Sequence, residues 1–161
     1  MSRTATLSRA TSESSIELSL DLDPVVVDWL RKAHATTTWT TSVGTGSTYL
    51  AAAGILAGKQ ATTHWNAARY LELFGATYSS ERVVTQGKVI TAAGVSAGID
   101  MALTLVGHLQ GGTVAQAIQL GIEYDPHPPY DAGSPAKAPA DVVEFVAAAM
   151  DAGEARLRGD H

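Results

Sequence analysis

The stretch TTSVGTGSTYLAAAG, residues 40–54, constrains the fold more than any other part of the chain. A β-branched run enters a glycine-rich corner, and a small-residue helix leaves it. Thr and Val suit a pleated strand, glycine permits the sharp reversal, and the alanines that follow favour helix. Residues 37–43 are therefore expected as a buried, central parallel strand, with Gly44 at its C-terminal tip and a helix from Gly46 or Ser47. A corner of this kind displays its apex side chain at the C-terminal edge of a sheet, where backbone amides can stabilise an anion. The apex here is Gly44, which has no side chain to display.

The flanking segments alternate between helix and strand. Asp23-Pro24 is a good helix start, since Asp can cap and Pro suits the first turn, and the helix should run to about Ala35. STYLAAAGILAG reads as a helix closed by Gly58, KQATTHW as a short strand or link, and NAARYLELFG as an amphipathic helix ending at Gly75. ERVVTQGKVITAAG reads as two strands joined at Gln86-Gly87. VSAGIDMALTLVGHLQ and GGTVAQAIQLGIEY are helical, and ADVVEFVAAAMDAGEARLR is a closing helix. DPHPPYDAGSPAKAP holds five of the six prolines and must be a loop. Strands alternating with helices indicate a layered α/β domain.

The first residues differ in character. MSRTATLSRATSESS has eight Ser/Thr in fifteen residues, two arginines and no acid before Glu13. Residues 1–22 are therefore expected as a disordered or atypical segment, and 23–161 as the folded domain. The chain has 161 residues with 45% hydrophobic side chains, enough for a real core. The formal charge is -5 and there is no Lys/Arg stripe, which argues against nucleic acid and anionic membranes as partners. The longest apolar runs are too short to span a bilayer. There is no cysteine, so disulfides, thiolate metal sites and a thiol nucleophile are excluded. The five histidines (His34, His64, His108, His127, His161) show no metal-binding spacing, and neither a metal nor another cofactor is expected. Absence of cysteine is compatible with a cytoplasmic protein.

Two corners compete for chemistry. Gly94-Val95-Ser96-Ala97-Gly98 is a literal G-x-S-x-G, in which Ser96 would be a nucleophile with Asp125 and His127 as downstream partners. Against this, only 65 residues follow Ser96, and they contain no convincing strand. Ser96 is expected instead to pack at a strand–helix corner and bond the backbone. The Gly44-x-Gly46 corner is not a phosphate loop, because position 49 is Tyr and no Lys-Ser/Thr pair follows.

WTTSVGTGSTYLAAAGILAGKQATTHW resembles the nucleophile-elbow segment of the ThiJ/PfpI superfamily, the class I glutamine-amidotransferase-like fold. The resemblance continues through VITAAGVSAGIDMALTLV and IQLGIEYDPHPPYDAGSP, so it covers about residues 23 to 136. Within the superfamily the chain is most similar to isonitrile hydratases. The same segment type forms the ligand domain of some AraC-type regulators.

This resemblance implies a flavodoxin-like three-layer α/β sandwich with a mostly parallel sheet, commonly a homodimer. In the hydratases an elbow cysteine attacks the isonitrile carbon, and water converts the adduct to an N-substituted formamide. The threonine after the cysteine lines the oxyanion side, and superfamily members place a histidine near the thiol. By that pattern Gly44 stands at the nucleophile position, Thr45 offers its backbone N–H, and His64 is the histidine. An early acid and a second oxyanion donor belong to strands that the family places before the segment starting at Asp23. Those first strands are expected to be lacking here. The resemblance therefore implies a hydro-lyase relative with a small-molecule ligand and catalysis lost at Gly44. A non-catalytic binding or regulatory module, an inactive fragment, and a serine hydrolase using Ser96 stand as alternatives. His64 reads equally as a packed, hydrogen-bonded ring, Thr45 as a helix cap and Asp100 as a carboxylate at a helix start.

Overall fold

The structure, a computed structural model, describes residues 3–10 and 15–158. Within residues 1–22, expected as a disordered or atypical tail, two strands are present. β1 (Arg3–Ala10) and β2 (Ser15–Leu22) pair antiparallel, from Arg3↔Leu22 to Ala10↔Ser15. A composition rich in Ser and Thr masks the period-2 alternation of Ile16, Leu18, Leu20 and Leu22 with polar residues.

Helix α1 (Pro24–Thr36) starts as its sequence requires, with Asp23 Oδ1 accepting the Val25 amide at 2.8 Å. Such a cap contributes about 1 kcal/mol. β3 is Thr40–Val43, shorter than the expected strand. The preceding threonines serve α1 instead: the Thr37 amide and the Thr36 hydroxyl both donate to the Ala33 carbonyl. β3 is also half-exposed rather than buried, with Ser42 inward and Thr41 and Val43 outward.

Helix α2 (Gly46–Ala52) starts at the expected residue but ends well before Gly58. Gly54, at φ +78°, stops it. The Ile55 amide donates to Leu50 O and the Gly54 amide to Ala51 O, the paired bonds of a left-handed C-terminal cap. Leu50 and Ile55 then share one core cluster, the apolar contact that accompanies this cap.

β4 (Gln60–Ala61) pairs parallel with β5 (Thr77–Tyr78) across a single turn of 3-10 helix (Trp65–Ala67) and α3 (Ala68–Leu73). β6 (Val83–Gln86) and β7 (Val89–Ala92) form the expected hairpin, with Gly87 at φ +61° in the turn. β7 also pairs parallel with β3, from Thr40↔Val89 to Val43↔Ala92, giving the order β3-β7-β6. As the central strand β7 is buried at all four positions, the signature of a strand covered on both faces. Val89 joins a cluster with Leu22, Val27, Leu50, Leu56 and Leu71. Ile90 and Ala92 face a second cluster with Ala97 and Met101. Layers on both sides of a parallel pair make this the flavodoxin-like α/β arrangement.

α4 (Ala97–Gln110) leaves β7 and packs back on it, with His108 stacked on Trp39 at 4.9 Å between ring centroids. α5 (Gly112–Gly121) follows Gly111. The chain divides into two compact units, Met1–Gln119 and Leu120–His161. The second unit contains the proline-rich loop, which forms no helix or strand over residues 124–139, and α6 (Ala140–Arg158). No helix among the described residues is long and apolar enough to cross a membrane.

Candidate functional site

Three loops meet at the C-terminal ends of parallel strands, where open α/β sheets place their ligands. They are Gly44-Thr45 after β3, Thr62-Thr63-His64 after β4, and Ala93-Gly94 after β7. Backbone and side-chain hydrogen bonds join them. The Gly44 amide donates to Ala93 O at 2.7 Å and to Ala92 O at 3.1 Å. The Thr63 hydroxyl donates to Gly44 O at 2.9 Å.

Gly44 is buried and sits at φ +57°, a conformation that favours glycine over any L side chain. Space does not exclude a side chain there. A Cβ would meet Ala93 O at 3.7 Å, ordinary van der Waals contact. A Cβ at the corner is therefore opposed by backbone strain and not by a clash.

Thr45 has helical backbone angles and no side-chain capping bond, so the reading of its hydroxyl as a cap does not hold. Its carbonyl accepts the Thr48 amide and the Thr48 hydroxyl. The Thr45 amide has no acceptor among the described residues. It is a backbone donor one residue past the apex.

Beneath the corner lies a chain of buried hydroxyls. Ser47 Oγ donates to Thr62 O at 2.8 Å, so the 2.7 Å contact between Ser42 Oγ and Ser47 Oγ must take its proton from Ser42. Thr91 Oγ1 accepts the Thr62 amide at 2.9 Å. These bonds tie β3, α2, β4 and β7 together immediately below Gly44.

His64 is placed beside the corner by its neighbour Thr63. Its ring carbon Cδ2 lies 3.6 Å from where a Cβ on Gly94 would stand. Nδ1 accepts the Asn66 amide at 3.3 Å and caps the 3-10 turn. That bond puts the proton of the neutral ring on Nε2. Burial holds the imidazole below its ordinary pKa, which favours this neutral form. His64 thus offers an N–H donor at Nε2 and not a free base at Nδ1.

The second corner is different. Ser96 is exposed, and its Oγ accepts from Arg82 Nη2 at 3.4 Å. Its carbonyl makes a backbone bond, accepting the Ile99 amide at 3.4 Å, while its side chain bonds Arg82 and not the backbone. Arg82 Nε pairs with Asp100 Oδ2 at 2.5 Å, so Asp100 is an ion-pair partner as well as a carboxylate in the first turn of α4. Asp125 and His127 lie in the second unit, in the loop after α5. Among the described residues no group of three or more His, Asp or Glu side chains is placed to hold a metal ion. The sequence reading missed Thr63 and Ala93, whose bonds define the apex; both are contacts distant in sequence.

A strand–glycine–helix corner at the end of a parallel pair, within layers of helix and strand, defines a flavodoxin-like α/β protein. The DJ-1/PfpI family profile matches residues 16–108, more than half of the chain, and the chain belongs to that family. It is similar to the isonitrile hydratase of Pseudomonas putida, 48% identical over 122 residues, which are 76% of this chain and 54% of the relative. The HTH-type transcriptional regulator CdhR of Pseudomonas aeruginosa is 36% identical over 97 residues, 57% of this chain and 28% of that one. Among solved structures, a ThiJ/PfpI family protein from Pseudomonas syringae superposes with a TM-score of 0.76 at 40% identity, covering 80% of this chain and 53% of the other. Drosophila melanogaster DJ-1beta gives a TM-score of 0.55 at 25% identity, covering 62% and 54%. The chain spans about half the length of the isonitrile hydratase and of the Pseudomonas syringae protein that it matches.

Proposed function

We propose that this chain carries the elbow of an isonitrile hydratase-like site, that it takes a small-molecule ligand there, and that hydration is lost because Gly44 replaces the nucleophile. The observation that carries the reading is Gly44 itself. It is the first residue after β3, it has a positive φ, and it has room for a Cβ. In that reading Thr45 supplies the anion-binding N–H and His64 a neutral donor beside it. Removing the nucleophile of a covalent mechanism lowers turnover on the order of 10⁶-fold in a comparable case. The chain acts in the cytoplasm as a homo-oligomer, without nucleic acid or membrane partners, consistent with its charge of -5.

The experiment is an isonitrile assay that follows the N-substituted formamide, run on the wild-type chain and on Gly44→Cys. The wild type should give none. In Gly44→Cys the thiol should react with iodoacetamide at pH 6 faster than a free cysteine. The backbone amides around it favour thiolate over the ordinary thiol pKa of ~8.5. Wild-type turnover as fast as that of the variant would remove Gly44 from the chemical centre. The similarity to CdhR supports a second reading, a ligand-binding regulatory module on the same fold. Ligand binding at the corner without turnover in either form would favour it.

A further inference from the structure

Gly44 O accepts a hydrogen bond from Thr63 Oγ1 at 2.9 Å and a longer one from the Ser47 amide at 3.3 Å. Thr63 is fully buried, and it comes from the loop after β4, nineteen residues along the chain. A buried hydroxyl must spend its proton on an acceptor or lose the hydrogen bond outright. Here that acceptor is the carbonyl of the apex residue.

The consequence lies in the next peptide unit. The Gly44 carbonyl and the Thr45 amide belong to one planar trans peptide and point in opposite directions. Whatever holds the carbonyl toward Thr63 therefore holds the Thr45 N–H away from it. That N–H has no acceptor among the described residues. The Gly44 amide on the other side is held separately by Ala93 O. The apex is thus clamped on both flanks by different loops, and on the peptide that carries the Thr45 donor the Thr63 hydroxyl makes the shorter bond, 2.9 Å against 3.3 Å from the Ser47 amide.

We propose that Thr63 is a positioning residue of the elbow: its buried hydroxyl fixes the Gly44–Thr45 peptide and so aims the Thr45 N–H at an anion formed at the apex. This rests on the elbow reading above. A side-chain hydroxyl is suited to the task. It bonds a carbonyl without adding charge, so it orients the peptide and leaves the electrostatics of the site to the amides.

The test uses Gly44→Cys as a reporter and reads the pH profile of iodoacetamide alkylation. Adding Thr63→Val, which keeps the shape and removes the hydroxyl, should raise the apparent thiol pKa by about one unit and slow alkylation at pH 6 about tenfold. Thr63→Ser in the same background should restore the parent profile. A merely structural threonine would lower the melting temperature without moving the profile. If Thr63→Val does not fold, Thr63→Ala removes the hydroxyl without setting a methyl against the carbonyl and gives the same comparison. An unchanged profile in the Val or Ala variant, or a Ser variant shifted as far as either, overturns the assignment of Thr63. A Gly44→Cys thiol that reacts like free cysteine before any change at Thr63 overturns the elbow reading itself, and this one with it.

Discussion

The amide of Gly44 donates to the carbonyl of Ala93 at 2.7 Å, and that bond joins the turn after β3 to the turn after β7. The same oxygen would stand 3.7 Å from a Cβ on Gly44. The neighbour that fixes the apex therefore leaves room for a side chain. What opposes substitution is the φ of +57°. Gly44→Ala should fold and lose about 1–2 kcal/mol, the usual penalty for an L residue in the left-handed region. For a chain of this size that is a fall of a few degrees in melting temperature. A loss beyond about 4 kcal/mol, read by denaturant titration, would mean that the corner has no room.

The buried hydroxyl chain below the apex predicts coupled losses. Ser47→Ala takes away the acceptor of Ser42 and the donor to Thr62 O, both in buried surroundings. A stranded polar group of that kind costs about 1–3 kcal/mol. Because Ser42 Oγ depends on Ser47 Oγ, Ser42→Ala should cost less in the Ser47→Ala background than in the wild type. A double-mutant cycle by urea unfolding measures the difference. Strict additivity would show that the two hydroxyls do not share a bond in solution.

Ser96 should resist a fluorophosphonate probe. The cation that donates to its oxygen, Arg82, stays protonated at any working pH and cannot accept a proton from it. Among the described residues no proton-accepting base bonds the Ser96 hydroxyl, and a serine hydroxyl that no base activates is an ordinary alcohol. Mass spectrometry after labelling should find Ser96 unmodified, and a stable adduct there would revive the serine hydrolase alternative.

How far the sequence revealed this arrangement depends on the range of the contact. The corner at 40–46 was legible because its signals are local: a β-branched run, then glycines, then alanines. The end of α2 was not, because Gly54 and Gly58 are both possible stops, and the pairing of Leu50 with Ile55 decides between them. β2 was hidden by composition although its alternation is plain. Thr63 looked like one threonine in a polar link. Its role depends on a carbonyl nineteen residues earlier, which no local pattern records.

Helix α1 exposes Val25 and Trp29 by 74% and 64%, one turn apart on one face, with Val26 beside them at 39%. A contiguous apolar face of this kind favours association. Light scattering should give a mass above that of the 16.7 kDa monomer, and Trp29→Glu should shift it downward. A compact, cooperatively melting wild-type monomer would contradict the homo-oligomer proposal.

The pH dependence of stability follows from His64. Burial lowers its pKa in the folded chain, and its Nδ1 accepts the Asn66 amide. Unfolding releases the ring to its ordinary pKa of about 6.5. Below that value the unfolded chain binds a proton that the folded chain refuses, so acid favours unfolding. The contribution of neutral His64 is fully present above pH ~6.5 and declines as the pH falls toward the lower folded pKa. Its protonation would also set an Nδ1–H against the Asn66 N–H. His34 shifts in the same direction, through burial first and then Lys88 and Lys59, so both rings steepen the acid side. His64→Asn separates them. Asparagine keeps a capping acceptor and does not titrate. Between pH ~6.5 and ~5, before most carboxylates protonate, the melting temperature of His64→Asn should fall less steeply than that of the wild type. His34 contributes to the slope that remains, which should flatten further in His34→Asn. Identical slopes for wild type and His64→Asn across this window would show that the His64 ring is not held neutral beside the corner.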